Sequence, residues 1–417
     1  MTSAEKIVYV YANWSKDPPA LMGRLYINVS LGKELFCFEY SRDCIRSSDA
    51  GFVFDPDLRL YEGRQYAPDK PLFGVFADSC PDRWGRLLMR RREAIIARKE
   101  KRKPRALTES DYLLGVYDET RLGALRFSLV EDGPFLAIDK DLPAPPFPTL
   151  RTLETASLAF ESGDESAPEE KWLRQLLAPG SSLGGARPKA SVQAPDGSLW
   201  IAKFPSKHDE WNSGAWEIVA HDLAVICGLN VPEALLETFS FAGSTFLVKR
   251  FDRNQSHRIH FSSAMALLGK TDGAGTEGVS YLDLASFIKA NGALPKRDLK
   301  ELWQRIAFTM AISNSDDHLR NHGFLLTERG WVLSPMFDVN PNIYGNTLSL
   351  NVSRDDNSID FDLAIETAEY YGISIYEAKN TVADIRKTIG ENWQTLAAAY
   401  GLSKGAIERM APAFTMY

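Results

Sequence analysis

Asn314-Ser-Asp316-Asp-His318-Leu-Arg-Asn321 is the stretch from which the fold is read, and 17 residues beyond Asn321 a second aspartate, Asp338, closes Ser-Pro-Met-Phe-Asp. An aspartate, an asparagine five residues on, and another aspartate across a short hairpin are the groups that place a base and two metal ligands around a triphosphate. Between them, Gly323-Phe-Leu-Leu and Trp331-Val-Leu flank Thr327-Glu-Arg-Gly330, which predicts two short apolar strands joined by a turn. If the hairpin folds back, Asn321 and Asp338 can meet on one Mg²⁺. A polar loop that only caps backbone groups would account for the first aspartate and the asparagine, but it gives no reason for Asp338 or for the motifs upstream.

The first of those motifs is Ser181-Ser182-Leu-Gly184-Gly185-Ala186-Arg187-Pro188-Lys189. Adjacent glycines let backbone N–H groups approach phosphate oxygens, hydroxyls can donate to them, and Arg187 and Lys189 supply compensating charge. An ordinary turn before a strand is the plainer alternative. The order Gly-x-x-x-x-Gly-Lys-Ser/Thr is absent, which disfavours a P-loop NTPase. Trp200-Ile-Ala-Lys203 follows a Pro-Asp-Gly turn at 195–197, so Lys203 is expected on a strand antiparallel to the segment after the glycines. Glu217 lies in an apolar run of helical periodicity ending at Gly228, where a glutamate can hold that lysine in place. Taken singly, Lys203 would read as a solvated strand lysine and Glu217 as a helix surface charge.

Taken in order, these residues resemble the HipA family of bacterial serine/threonine kinases, toxins of HipBA-type toxin-antitoxin systems. Phe76-Ala-Asp-Ser-Cys-Pro-Asp-Arg-Trp-Gly85, Leu113-Leu-Gly-Val-Tyr-Asp118 and Arg121-Leu-Gly-Ala124 are similar to the family's N-terminal signatures. Ser182-Leu-Gly-Gly-Ala is similar to its regulatory loop, Ile201-Ala-Lys-Phe-Pro205 to its lysine strand and Val248-Lys-Arg-Phe-Asp-Arg253 to its hinge. The resemblance implies an α+β, two-lobed protein-kinase-like fold with an extra N-terminal β-rich subdomain and a mostly helical C-lobe. It implies ATP and Mg²⁺ as cofactors, Asp316 as catalytic base, Asn321 and Asp338 as metal ligands, and Lys203 on the ATP phosphates with Glu217 as its ion-pair support. Gly184, Gly185, Ala186, Arg187, Pro188 and Lys189 would line the phosphate side, Lys249, Arg250 and Phe251 the adenine hinge, and His318 and Phe337 the remaining wall. Ser182 matches the serine that family members autophosphorylate, with Ser181 chemically equivalent beside it. The expected partners are a protein substrate, an aminoacyl-tRNA synthetase in family members whose targets are known, and a HipB-like helix-turn-helix antitoxin through which DNA is reached indirectly. After the hinge the family commonly shows an Arg-Leu-His-Gln-Glu-Asp-like run, whereas here Arg258-Ile-His260 is followed by Phe261-Ser-Ser-Ala.

Composition agrees with such an enzyme. The 417 residues, 44% of them hydrophobic, suffice for more than one core. No apolar run reaches the roughly 18 residues of a membrane span, and the start Met-Thr-Ser-Ala-Glu-Lys lacks a signal-peptide core, so no membrane partner and a cytoplasmic location are expected. The four cysteines and six histidines form no metal-binding spacing. Motifs divide the chain into a β-rich part over 1–130, a part over 150–252 with glycine loop, lysine strand and hinge, and a helical part over 253–417. In the last, Leu299, Leu302, Trp303, Ile306 and Met310 predict a helix that delivers the catalytic loop. A net charge of -7 argues against broad nucleic-acid binding by the whole chain, yet Arg90 to Arg105 is strongly basic, suited to an acidic partner or a nucleic-acid backbone, or simply a solvated helix face. Two rival functions stay open: a kinase-like co-repressor that acts by docking an antitoxin on operator DNA, and a small-molecule kinase on the same scaffold.

Overall fold

Val8 and Val10 are buried and alternate with the half-buried Ile7 and Tyr9, the period-two pattern of a strand, while Tyr11 and Ala12 at the end of Lys6–Ala12 are both buried. In the computed structural model this strand pairs antiparallel with Ala20–Ser30 on one side and Leu125–Ser128 on the other. Lys33–Tyr40 and Gln65–Tyr66 complete a five-stranded sheet on the far side of Ala20–Ser30. The structure describes residues 5–14, 18–46, 52–67, 70–136, 144–162, 176, 185, 187–255, 257–271 and 278–415.

Two compact units divide the chain. The first comprises residues 1–202 and 250–271, the second 203–249 and 272–417. In the first, Phe38, Phe76 and Phe127 build an aromatic core on the five-stranded sheet. The helix Arg83–Lys99 starts where the Asp82 side chain accepts from the Gly85 N–H at 2.8 Å, and it buries Trp84 and Leu88. The strands Lys189–Gln193 and Leu199–Lys203 are hydrogen-bonded neighbours closed by the expected Pro-Asp-Gly turn, with Gly197 at φ +84°.

Within the first unit lies a buried charge network. Asp252 accepts from Arg250 at 2.6 and 2.9 Å, from Arg253 at 2.7 Å and from the Gly123 N–H at 2.8 Å. Arg250 also donates to the Thr120 carbonyl at 2.6 Å, while Arg121 donates to the carbonyls of Ser79, Leu113 and Val116. Asp118 pairs with Arg126 and Arg258. Buried charges persist only with such partners, because each would otherwise carry a desolvation cost of several kcal/mol, about the scale of a domain's whole stability.

The second unit is mostly helical. Leu299, Leu302, Trp303, Ile306 and Met310 all face inward on the helix Pro295–Ala311, as their spacing predicts. Trp303 Nε1 donates to the Ala364 carbonyl at 2.8 Å, tying this helix to Phe361–Thr367. The predicted hairpin follows as Gly323–Thr327 and Gly330–Leu333, with Thr327 opposite Gly330 and Gly330 at φ +127°. The long helix Ile375–Ala399 packs against both Pro295–Ala311 and Ser213–Ile226.

Candidate active site

Lys203 ends the strand Leu199–Lys203 and belongs to the second unit, where the residue is 9% exposed. Its ammonium donates to Glu217 Oε1 at 2.6 Å and to Asp338 Oδ1 at 2.5 Å. Burial works against its charge, but the facing carboxylates of Asp338 and Glu217 hold it protonated, above the usual lysine range. Lys203 is thus a fixed cation with two anionic partners rather than a solvated strand lysine.

Glu217 reaches it from the helix Ser213–Ile226 and is itself 4% exposed. The helix sits unusually close to the strand Gly243–Lys249: a Cβ on Gly214 would lie 2.1 Å from the Ser244 carbonyl oxygen. Asn212 caps the helix and also accepts from the Ser244 N–H at 2.9 Å. A glycine at the first turn therefore sets the depth at which Glu217 meets Lys203.

Asp338 is placed by a chain of backbone anchors. Asp298 accepts from the Leu333 N–H at 2.9 Å, Arg305 donates to the Ser334 carbonyl at 2.8 Å, and the Met336 N–H donates to the Asn230 carbonyl at 2.8 Å. Asp338 itself adopts φ +57°, a left-handed conformation uncommon outside glycine and typical of constrained functional positions. Phe337 beside it is buried.

The segment after Ile312 is wound tightly. The Asp316 carbonyl accepts from the His318 N–H at 3.0 Å and from Asn321 Nδ2 at 2.9 Å. Ser315 is braced from outside: Asn342 Nδ2 donates to its hydroxyl at 2.7 Å and the Ser349 hydroxyl to its carbonyl at 2.8 Å. The adjacent aspartates part company. Asp316 is exposed, whereas Asp317 is buried, accepting from the Tyr281 hydroxyl at 2.6 Å and bonded to His322 Nε2 at 3.1 Å. Burial would raise Asp317, but His322 and Tyr281 hold its carboxyl below the ordinary range. Asp317 anchors the loop, and Asp316 is the carboxylate left at the surface.

With Nδ2 held by the loop, Asn321 Oδ1 is buried and meets no protein donor. A buried acceptor left in that state costs about 1–3 kcal/mol, which a cation would offset. Asn321 Oδ1 and the Asp338 carboxylate are hard oxygen donors of the kind Mg²⁺ takes. Among the described residues no three His, Cys, Asp or Glu side chains surround a common point. Two protein oxygens fit the habit of Mg²⁺, which keeps waters and phosphate oxygens as its other ligands.

The glycine-loop and hinge residues fall largely in the first unit. Ser181, Ser182, Gly184 and Ala186 lie outside the described residues. Gly185 is exposed with φ +90°, Arg187 is half-buried, Pro188 is buried, and Lys189 is buried with its ammonium 3.0 Å from Asp82. Lys249 pairs with Glu233 at 3.0 Å. The Arg250 guanidinium is committed to Asp252 and the Thr120 carbonyl, and its N–H donates to the Leu199 carbonyl at 2.9 Å, so both are held within the fold. Phe251 is half-buried, 6.0 Å from the Phe261 ring. His318 is half-buried with Nδ1 unpartnered by protein. Sequence reasoning missed Tyr281, Asp298, Arg305, Asn342 and the close seat at Gly214; only the glycine at a helix start carried a local signal.

Residues 181–393 match the HipA-like C-terminal domain family. A candidate kinase of Haemophilus influenzae is 30% identical over 140 residues, covering 29% of this chain and 40% of that protein. The candidate kinase Y4dM of Sinorhizobium fredii is 25% identical over 226 residues, covering 46% of this chain and 54% of that one. The matches therefore span about half the length of these relatives or less. HipA of Shewanella oneidensis MR-1, solved with HipB and its operator DNA, superposes with a TM-score of 0.64 over 98% of this chain and 95% of its own at 18% identity, a likeness of fold.

Proposed function

The chain belongs to the HipA family, and from that premise we propose that it is an ATP- and Mg²⁺-dependent serine/threonine protein kinase. The observation that carries the reading is Lys203, buried between Glu217 and Asp338 in the same unit that exposes Asp316 beside Asn321. A co-repressor acting only by docking has no physical need for a buried lysine held by two carboxylates.

In this reading Asp316 accepts the hydrogen bond of a substrate hydroxyl, orients it and takes up its proton as the oxygen attacks the γ-phosphorus of ATP, whose bond to the β,γ-bridging oxygen breaks so that ADP leaves. Lys203, kept cationic by its partners, is positioned to neutralise phosphate charge that develops in the transition state. Glu217 and Asp317 hold, respectively, the lysine and the loop. Asn321 Oδ1 and Asp338 are the residues that would hold Mg²⁺, which when bound would neutralise phosphate charge. The chain segments 150–252 and 253–417 are the two kinase lobes, and 1–130 is the added subdomain. By family resemblance Lys249, Arg250, Phe251, His318, Phe337 and Gly184 to Lys189 stay the proposed nucleotide contacts.

Ser182 is the proposed autophosphorylation switch: about -1.5 to -2 units of added charge on a loop meant for ATP phosphates would expel it from that position. The acceptor is a protein hydroxyl, by family precedent on an aminoacyl-tRNA synthetase, and a HipB-like antitoxin is the regulatory partner, as HipB accompanies the Shewanella protein. Incubating purified protein with Mg²⁺-ATP tests this. The expected result is one added phosphate at 181–182, lower ATP affinity afterwards, and no modification of Asp316→Ala. Unmodified wild-type protein that has bound and held Mg²⁺-ATP would count against the switch.

A further inference from the structure

The kinase reading leaves one conspicuous feature unused. Residues 83–105 hold eleven Arg and Lys against two Glu in a chain whose net charge is -7. The structure sorts these charges. Glu93 is taken by Arg102 at 2.5 Å, Glu109 by Arg86 at 2.6 Å and Asp111 by Arg105 at 2.5 Å, so nearby acids are matched and Arg86, Arg102 and Arg105 serve the fold. Arg90 and Arg98 are exposed, and their spacing of eight residues puts them on one face of the helix Arg83–Lys99. Lys101 and Lys103, both exposed, continue the basic surface beyond its end.

We propose that this face is a docking surface for the phosphate backbone of a B-form DNA duplex, bound by the chain itself and not only through a partner. Such docking is separate from the kinase chemistry and does not depend on it. A helix rise of 1.5 Å per residue separates Arg90 and Arg98 by about 12 Å along the axis, comparable with the roughly 12 Å width of the B-DNA major groove. An A-form RNA duplex has a major groove too narrow for such a helix. A bilayer requires an apolar face, and here Trp84, Leu88 and Ala97 are buried in the unit, leaving Leu87 as the helix's large exposed apolar side chain among the described residues. A protein partner would want an apolar centre to its interface, which one leucine does not provide. Phosphates need only cations on a rigid rod, and the buried face and the Arg86 and Arg102 pairs supply the rigidity.

The test uses the full chain without any partner protein, a labelled 24-base-pair DNA duplex of mixed sequence, and the variant Arg90→Gln/Arg98→Gln/Lys101→Gln/Lys103→Gln. Four phosphate contacts give a log-log salt slope of about -3.6, so wild-type affinity should fall about 150-fold between 50 and 200 mM NaCl. The quadruple variant should bind at least tenfold more weakly at 50 mM and lose most of that slope. Should its thermal midpoint drop, Arg90→Gln and Arg98→Gln made singly should each lower the slope by about 1. A variant within twofold of wild type, no wild-type binding at 50 mM, or tighter binding to an RNA duplex, to phosphatidylserine vesicles or to polyglutamate would overturn the proposal.

Discussion

Replacing Glu217 by Gln removes one carboxylate charge without changing shape, and the structure says where the consequence falls. Lys203 now divides its ammonium between Glu217 at 2.6 Å and Asp338 at 2.5 Å. Once Glu217 is neutral, the lysine is drawn wholly to Asp338, the proposed metal ligand, and competes with Mg²⁺ for the same carboxylate. A hydrogen bond to a charged group is worth about 1.5–3 kcal/mol, so Mg²⁺-ATP affinity should fall about 10- to 150-fold. The assay is a titration with a fluorescent ATP analogue at several Mg²⁺ concentrations. The midpoint in Mg²⁺ should move upward, and metal-free nucleotide binding should change less. Protein stability should fall only modestly, because Lys203 keeps Asp338 as a partner and is never an unpaired buried charge. Affinity within twofold of wild type, with an unmoved Mg²⁺ midpoint, would refute the idea that Glu217 governs how Lys203 and the metal share Asp338.

Asp316→Ala and Asp338→Ala should each lower phosphoryl transfer by about 10²-fold or more, one by removing the base and the other a charged metal ligand, as steady-state rates would report. Lys203→Ala should weaken ATP binding and turnover together, while Lys207→Ala, on an exposed position four residues on, should stay within about 0.5 kcal/mol in stability and leave the nucleotide titration unchanged. Gly214→Ala forces the helix Ser213–Ile226 away from the Ser244 carbonyl, so calorimetry should show destabilisation of about 1–3 kcal/mol and the Mg²⁺-ATP titration a loss of affinity; unchanged values in both would remove the close seat as a determinant. Asp252→Ala strands the buried Arg250 and Arg253 charges, and the first unit should lose about 3–5 kcal/mol, on the order of 6–20 °C in its thermal midpoint. Despite burial, Arg258 and Arg126 beside Asp118, and Arg250 and Arg253 beside Asp252, depress both carboxyls in the fold. Their contribution is fully present above the unfolded aspartate value of about 3.9 and is lost as pH falls through the lower folded values, while His260, which burial pushes down to about 3, removes stability as pH falls below the ordinary histidine value of about 6.5, so stability should decline from about pH 6.5 and more steeply below about pH 4.

The parts of the fold legible in the sequence were those set by local periodicity and turn chemistry. The helix Pro295–Ala311 and the hairpin after Asn321 are found where the apolar spacing and Thr327-Glu-Arg-Gly330 place them. Lys203 and Glu217 were legible as a strand lysine and a helix glutamate, and the structure joins them at 2.6 Å. Long-range pairings left no such trace. Asp118 and Arg258 stand 140 residues apart, yet form one buried pair. Arg250 was expected among the nucleotide contacts, and its neighbours at Thr120 and Arg121 could not be seen from its own segment. Asp316 and Asp317 are identical in type and adjacent. Only Tyr281 and His322, one of them 36 residues from Asp317, decide which carboxylate is buried and which is presented.

The central claim is that Asp316 presents a carboxylate to a protein hydroxyl in a site built by Lys203, Asn321 and Asp338. Phosphoproteomics of cells expressing the wild-type chain against cells expressing equal amounts of Asp316→Ala tests it most directly. The account predicts serine or threonine sites, on a small set of proteins and at 181–182 of the chain itself, that appear with the wild type and are absent with the variant. Identical phosphopeptide profiles in the two, with both proteins folded and binding ATP, would contradict it.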